Sequence, residues 1–243
     1  MRLSIQAICN VGMVRSNNED ALSLGGLFLR DDETALNIST PTDGCFYLLV
    51  SDGMGGHENG EEASQYTLDT IQEQLRGIPP ERFEDGIRET VRGISDTLNR
   101  RAAELGQIHP MGCTLTGVIW HFGRLWLVNA GDSRTYRFRE GMLRQLTTDE
   151  TERGITDNPD GSKLLLNCIG GGSYGRLSVS DAEGKLLEGD TLLVCSDGLC
   201  DMVPDEVIES ALSAGASATD LLRMACEAGG VDNISIILAK IEE

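Results

Sequence analysis

The strand-like stretches of this chain arrive in blocks and do not alternate with helices, and that order restricts the fold more than any other feature. Short runs rich in β-branched and aromatic residues span Leu3 to Cys9, Cys45 to Ser51, Cys113 to His121, Leu125 to Ala130, Thr135 to Phe138, Thr191 to Cys195 and Ile234 to Lys240. Apolar residues at three- and four-residue steps, such as Ile87, Val91, Ile94 and Leu98, predict helices over Gly60 to Arg76 and Phe83 to Leu105. A second helix pair is predicted over Pro204 to Ser213 and Ala218 to Ala228, opened by Pro-Asp-Glu and closed by Gly229-Gly230. Strands, two helices, strands, two helices and a last strand do not make strand-helix-strand units, which disfavours a parallel doubly wound sheet. The expected class is α+β: a four-layer α-β-β-α sandwich of two antiparallel sheets, flanked by helix pairs that bury their outer faces.

A chain of 243 residues with 40% hydrophobic content can bury one substantial core. No linker or repeat divides it, so residues 1–243 read as a single domain. Two stretches look irregular: the acidic segment Arg30 to Gly44, expected as a solvated loop, and the Gly/Asp/Asn-rich segment Thr147 to Gly175. Within the latter, Gly170-Gly-Gly172-Ser-Tyr-Gly175 formally matches a dinucleotide fingerprint but lacks the surrounding strand-turn-helix, and is read as a flexible loop. The net charge of −19 argues against nucleic acid and anionic membrane as partners. A phosphorylated substrate would need local positive charge, which bound divalent cations can supply. The N-terminus is too short and mixed for a secretion signal, and no apolar run approaches the roughly 20 residues of a membrane span, so no membrane insertion is expected. Seven cysteines, an odd number without a Cys-x-x-Cys pair and mostly in apolar stretches, suit reduced thiols and a cytoplasmic location.

Three apolar runs end alike, at Val-Ser-Asp52-Gly53, Asn-Ala-Gly-Asp132 and Cys-Ser-Asp197-Gly198; a fourth aspartate, Asp232, stands immediately before the strand that starts at Ile234. In an antiparallel sheet the end of one strand lies beside the start of its neighbour, so these carboxylates can converge on one edge. A single strand-end Asp-Gly is usually an ordinary turn, but this many converging carboxylates repel one another and imply bound cations. Oxygen ligands without His or Cys select hard ions, Mg²⁺, Mn²⁺ or Ca²⁺ over Zn²⁺. Gly53, lacking Cβ, is expected to let the chain turn sharply and offer a carbonyl to a metal.

Between Val11 and Asn233 stand Arg15-Ser-Asn-Asn-Glu19-Asp20, Ser-Asp52-Gly53-Met-Gly-Gly-His57, Gly112-Cys-Thr-Leu-Thr, Gly-Asp132-Ser-Arg134, Asp197-Gly198-Leu-Cys-Asp201 and Asp232-Asn233. In these motifs the chain resembles the metal-dependent 2C-type serine/threonine protein phosphatases, and the variant Asp52-Gly-Met-Gly-Gly resembles their bacterial branch. The resemblance implies hydrolysis of phosphoserine and phosphothreonine on proteins by water activated between two Mn²⁺ or Mg²⁺ ions, without a phosphoenzyme. Asp52 would bridge the ions, Gly53 would lend one a carbonyl, Asp197 and Asp232 would hold the other, and Glu19 and Asp20 would serve directly or through waters. Arg15 matches the family's phosphate-binding arginine. Asp132 and Asp201 match a weaker third metal site; for Asp201, capping of the helix after Pro204 weighs equally. The substrate would be a phosphorylated protein, made by a partner Ser/Thr kinase.

Two departures stand out. Some family members carry His directly after the Asp-Gly pair, proposed to protonate the leaving alkoxide; Met54 stands here, with His57 three residues on as a substitute or a structural residue, and bound water as another donor. The family's longer flap is shortened to a compact segment within 147–175, which would leave the cleft more open. His109 and His121, without motif context, are read as structural or surface residues. The alternative reading is a catalytically weak metal-binding regulatory module of the same fold; a phosphatase of small phosphoesters is a third.

Overall fold

Alternation along the central strands decides which layer each side chain enters. The computed structural model describes residues 1–40, 44–54, 58–156, 158 and 161–242, with the backbone alone at Glu58. The first block contains β1 (Arg2–Asn10), β2 (Ala21–Leu24), β3 (Leu27–Leu29), β4 (Asp32–Ser39), β5 (Cys45–Ser51) and β6 (Gly53–Met54), followed by helices α1 (Glu58–Leu75) and α2 (Phe83–Glu104). Next come β7 (Gly112–Cys113), β8 (Leu115–His121), β9 (Arg124–Ala130), β10 (Arg134–Arg139), β11 (Met142–Gln145), the short α3 (Glu152–Thr156), β12 (Ile169–Gly170), β13 (Ser178–Asp181) and β14 (Thr191–Cys195). Helices α4 (Asp197–Cys200), α5 (Asp205–Ser213) and α6 (Ala218–Glu227) precede the last strand, β15 (Ile234–Glu242).

Two six-stranded sheets result, ordered β11-β10-β14-β15-β1-β4 and β13-β9-β8-β5-β2-β3, with a small sheet β12-β7-β6 at one end. On β5, Tyr47 and Leu49 pack with Leu68, Ile71, Ile87, Val91 and Ile94 of α1 and α2, while Phe46, Leu48 and Val50 face the other sheet. On β15 the same period of two sends Ile237, Ala239 and Ile241 between the sheets and Ile234, Ile236 and Leu238 toward Ile208 of α5 and Leu221 and Ala225 of α6. The expected four-layer α-β-β-α sandwich is therefore present, and the four predicted helices fall within a few residues of their expected limits.

The acidic segment read as a loop is corrected in part: residues 32–39 form the edge strand β4, paired with β1 from Arg2↔Ser39 to Cys9↔Asp32. Only its Leu36 and Ile38 touch the core between the sheets, and the other face is polar, which hid the strand. The predicted strand from Cys113 to His121 is broken at Thr114, whose N–H donates to the Asp52 carbonyl at 2.8 Å. The glycine segment read as flexible is tied down, with Gly170 in β12, the Ser173 carbonyl accepting from Ser95 Oγ and Asn99 Nδ2 at 2.8 Å each, and Asn99 Oδ1 accepting from the Gly172 N–H. All seven cysteines are unbridged, and among the described residues no helix is long and apolar enough to cross a membrane.

Candidate active site

Strand register brings the predicted carboxylates together. Ala21 of β2 pairs with Ser51 of β5, so Asp20 and Asp52 emerge side by side. Arg134 of β10 pairs with Cys195 of β14, setting Asp132 near Asp197 across the same end. Cys195 in turn pairs with Ile236 and Asn10 with Ile234, so β15 begins beside both Asp197 and the loop after β1. The resulting cleft of about 250 Å³ is lined by Arg15, Glu19, Asp52, Gly53, Asp132, Asp197 and Asp232, together with Asn17, Met54, Thr114, Leu165 and Asn233. Asp20 lies beneath it, 1% exposed, and Asp201 faces an adjoining basin.

The electrostatics are those of crowded anions. Desolvation, and then repulsion from Asp197 and Asp232, pushes Asp20 up to about 7, against the opposing pull of the Ser196 and Ser235 hydroxyls. Burial and four neighbouring aspartates, Asp20 first, drive Asp52 well above the carboxylate range. Asp132 rises to about 7 and Asp197 to about 6, each chiefly by burial and then by a neighbouring aspartate. Asp20 Oδ2 and Asp197 Oδ1 are buried without a hydrogen-bond partner among the described residues. Unpartnered carboxylate oxygens facing one another are what hard divalent cations bind, so the donor set fits Mg²⁺ or Mn²⁺. Among the described residues no three carboxylate, imidazole or thiol groups already stand at ligating distance from one point. Asp232, which lines the cleft with Arg15, has its Oδ2 2.7 Å from the Arg15 guanidinium.

Several supports were not foreseen from the sequence. Thr114 Oγ1 accepts the Asp52 N–H at 3.0 Å and pairs with Ser133 Oγ at 2.7 Å, while Ser51 Oγ donates to the Thr114 carbonyl. Asn233 Oδ1 accepts the Glu19 N–H, and its Nδ2 donates to the Val11 and Asn17 carbonyls, fixing the loop that carries Arg15. The signal was present: a buried Ser precedes both Asp52 and Asp197, and Asn follows Asp232.

Two local expectations change, and one holds. Gly53 is not a turn residue: it lies in β6, and a Cβ there would overlap the Gly60 and Glu19 carbonyl oxygens, so close packing requires it. Asp201 does not cap the helix after Pro204. It follows α4, donating its N–H to the Asp197 carbonyl at 2.7 Å, so the two carboxylates sit one turn apart as their spacing implied. His121 is structural, as read from the sequence: it is buried, with its ring tilted against Phe83 at a centroid distance of 4.6 Å, and burial lowers its pKa. His57 lies outside the described residues.

Gly198 is held by the same kind of approach, since a Cβ would overlap the Asn233 carbonyl oxygen. Gly198→Ala is therefore expected to cost more than about 3 kcal/mol in urea unfolding, because neither α4 nor the start of β15 can retreat. A wild-type midpoint would show that the Asn233 loop yields.

A four-layer sandwich with an acidic cleft at one end of its two sheets is the form taken by the 2C-type phosphatases. The chain belongs to that family: the family model described as Protein phosphatase 2C matches residues 26–229. It is 31% identical over 245 residues to the serine/threonine protein phosphatase PstP of Mycobacterium tuberculosis, covering 95% of this chain but only 43% of that relative's length. It is 29% identical to the serine/threonine phosphatase stp of Listeria monocytogenes, covering 94% of this chain and 92% of that protein. The crystal structure of the PstP catalytic domain in complex with two manganese ions superposes with a TM-score of 0.76 at 30% identity, covering 99% of this chain and 100% of that one.

Proposed function

We propose that residues 1–243 form one catalytic unit that hydrolyses phosphoserine and phosphothreonine on proteins, with a water activated by two Mn²⁺ or Mg²⁺ ions and no phosphoenzyme. The convergence of Asp52, Asp197 and Asp232 on one cleft carries this reading, supported by likeness over almost the whole chain to a manganese-bound phosphatase domain. Asp52 is assigned as the bridging ligand, Gly53 as a carbonyl donor, Asp197 and Asp232 as ligands of one ion, and Glu19 and Asp20 as supports of the other. Asp132 and Asp201 are assigned to a weaker third site. When bound, such ions supply the positive charge that acidifies an attacking water and offsets the phosphate's anionic oxygens.

The chain's own groups do the rest. The Thr114 and Ser133 hydroxyls hold the Asp52 backbone, so its carboxylate enters the cleft at a fixed height. Arg15, 55% exposed at the rim, can leave Asp232 and present two parallel N–H donors to phosphoryl oxygens, holding the phosphorus in line with the water. Met54, which lines the cleft, carries no exchangeable proton, so the leaving alkoxide must take its proton from another donor, a water or His57. The phosphoproteins are assigned to a partner Ser/Thr kinase, and the unbridged thiols support a reducing, cytoplasmic setting.

The test is hydrolysis of a phosphothreonine peptide by chelator-stripped protein with and without Mn²⁺, beside Arg15→Ala. Turnover should require the ion, and Arg15→Ala should lower kcat/KM by about 10²- to 10³-fold with Mn²⁺ affinity retained. Folded protein that binds Mn²⁺ and never turns over would instead support a regulatory metal-binding module.

A further inference from the structure

A basin of about 400 Å³ adjoins the cleft and shares Asp132 and Asp197 with it; its other walls include Arg134, Asp149, Lys163 and Asp201. Arg134 is fully committed, forking onto Asp149 at 2.7 and 2.9 Å and donating to the Tyr136 hydroxyl at 2.8 Å. Lys163 differs. It comes from the segment after α3, and its ammonium crosses to Asp201 Oδ1 at 2.8 Å. Asp201 is bonded through its N–H to Asp197, and Leu165, two residues beyond Lys163, bridges back to Thr151 and lines the cleft. One ion pair thus connects the flap segment, the basin and a predicted metal ligand.

We propose that Lys163 is the built-in cation of this basin: its ammonium takes the place a third divalent ion would hold among Asp132, Asp197 and Asp201, and clasps the 147–175 segment to α4. The proposal rests on the two-metal reading and deepens it. A third ion must then displace the ammonium before it binds. With side chains 56% and 33% exposed, the pair is weak enough to open and close, so the clasp is reversible.

The experiment is equilibrium dialysis of the full chain against Mn²⁺, with free ion counted by electron paramagnetic resonance, for wild type, Lys163→Met and Lys163→Arg. Removing one positive charge a few ångströms from the basin should tighten the third, weakest Mn²⁺ by about tenfold in Lys163→Met and leave the first two unchanged. Lys163→Arg, which keeps the charge, should match wild type. Chymotryptic cleavage around Leu164 to Leu166 should also quicken in metal-free Lys163→Met and not in Lys163→Arg. Identical isotherms for Lys163→Met and wild type, or an equal shift in both variants, would overturn the clasp while leaving the two-metal reading intact. Failure of all three proteins to bind Mn²⁺ would overturn both.

Discussion

The Asp52→Asn protein is expected to lose phosphothreonine turnover by about 10³-fold or more with saturating Mn²⁺, and yet to melt higher than wild type in chelator at pH 8. The amide keeps the shape of the side chain and its place beneath Thr114, so the fold has no reason to change. What it loses is an anion able to bridge two cations. What it gains follows from burial and the neighbouring Asp20, Asp197, Asp132 and Asp232, which hold the folded Asp52 carboxyl well above its ordinary range. At pH 8 the unfolded chain ionises this group freely, whereas in the folded chain ionisation is opposed by burial and the neighbouring anions, which costs stability; an amide has no such cost. The gain should shrink as pH falls toward about 4 and vanish below about pH 3, where Asp52 is protonated in both states. Turnover within tenfold of wild type would remove Asp52 from the bridging role. A lower melting point at pH 8 would sink the account of anion crowding. A site residue that lowers stability to create an ion site is the usual trade between function and stability.

The second large effect is a pH dependence opposite in sign to that of a protein held together by ion-paired carboxylates. Asp20 and Asp132 rise to about 7 and Asp197 to about 6, so between their unfolded values near 4 and these folded values the native chain holds more protons than the unfolded chain. Stability contributed by these groups is therefore fully present below about pH 4 and is lost as pH rises through 6 to 7. Each tenfold change in a carboxyl group's proton affinity on folding is worth about 1.4 kcal/mol, and each kcal/mol moves the midpoint by roughly 2–4 °C in a chain of this size. Metal-free protein should accordingly melt at least about 14 °C lower at pH 8 than at pH 5. Saturating Mn²⁺ should flatten or reverse that slope, because the ion favours the ionised carboxylates. A flat profile in chelator would show that the aspartates relax apart or admit water, leaving their ionisation unperturbed.

Much of the fold was legible because its signals are local. The limits of β5 and β14 follow from uninterrupted apolar runs, and those of α1, α2, α5 and α6 from three- and four-residue spacing. Asp52, Asp197 and Asp232 could be picked out because each sits where a buried strand starts or ends. The misses share a cause as well. The edge strand β4 buries few of its residues and reads as a loop, and the two-residue strands β6, β7 and β12 are too short to carry a period. Gly53 looked like a turn residue; the backbone that actually excludes a side chain there, as at Gly198, belongs to other segments of the chain.

The sequence by itself determined the sandwich and the kind of ion its carboxylates suit, because burial period and ligand chemistry are properties of single residues and their near neighbours. Only the tertiary structure decided which groups meet. Arg15 reaches Asp232 across 217 positions, and Lys163 reaches Asp201 across 38. Thr114 supports Asp52 from 62 residues away. Such encounters depend on strand register and loop closure, which belong to the assembled core and are not written into any one segment.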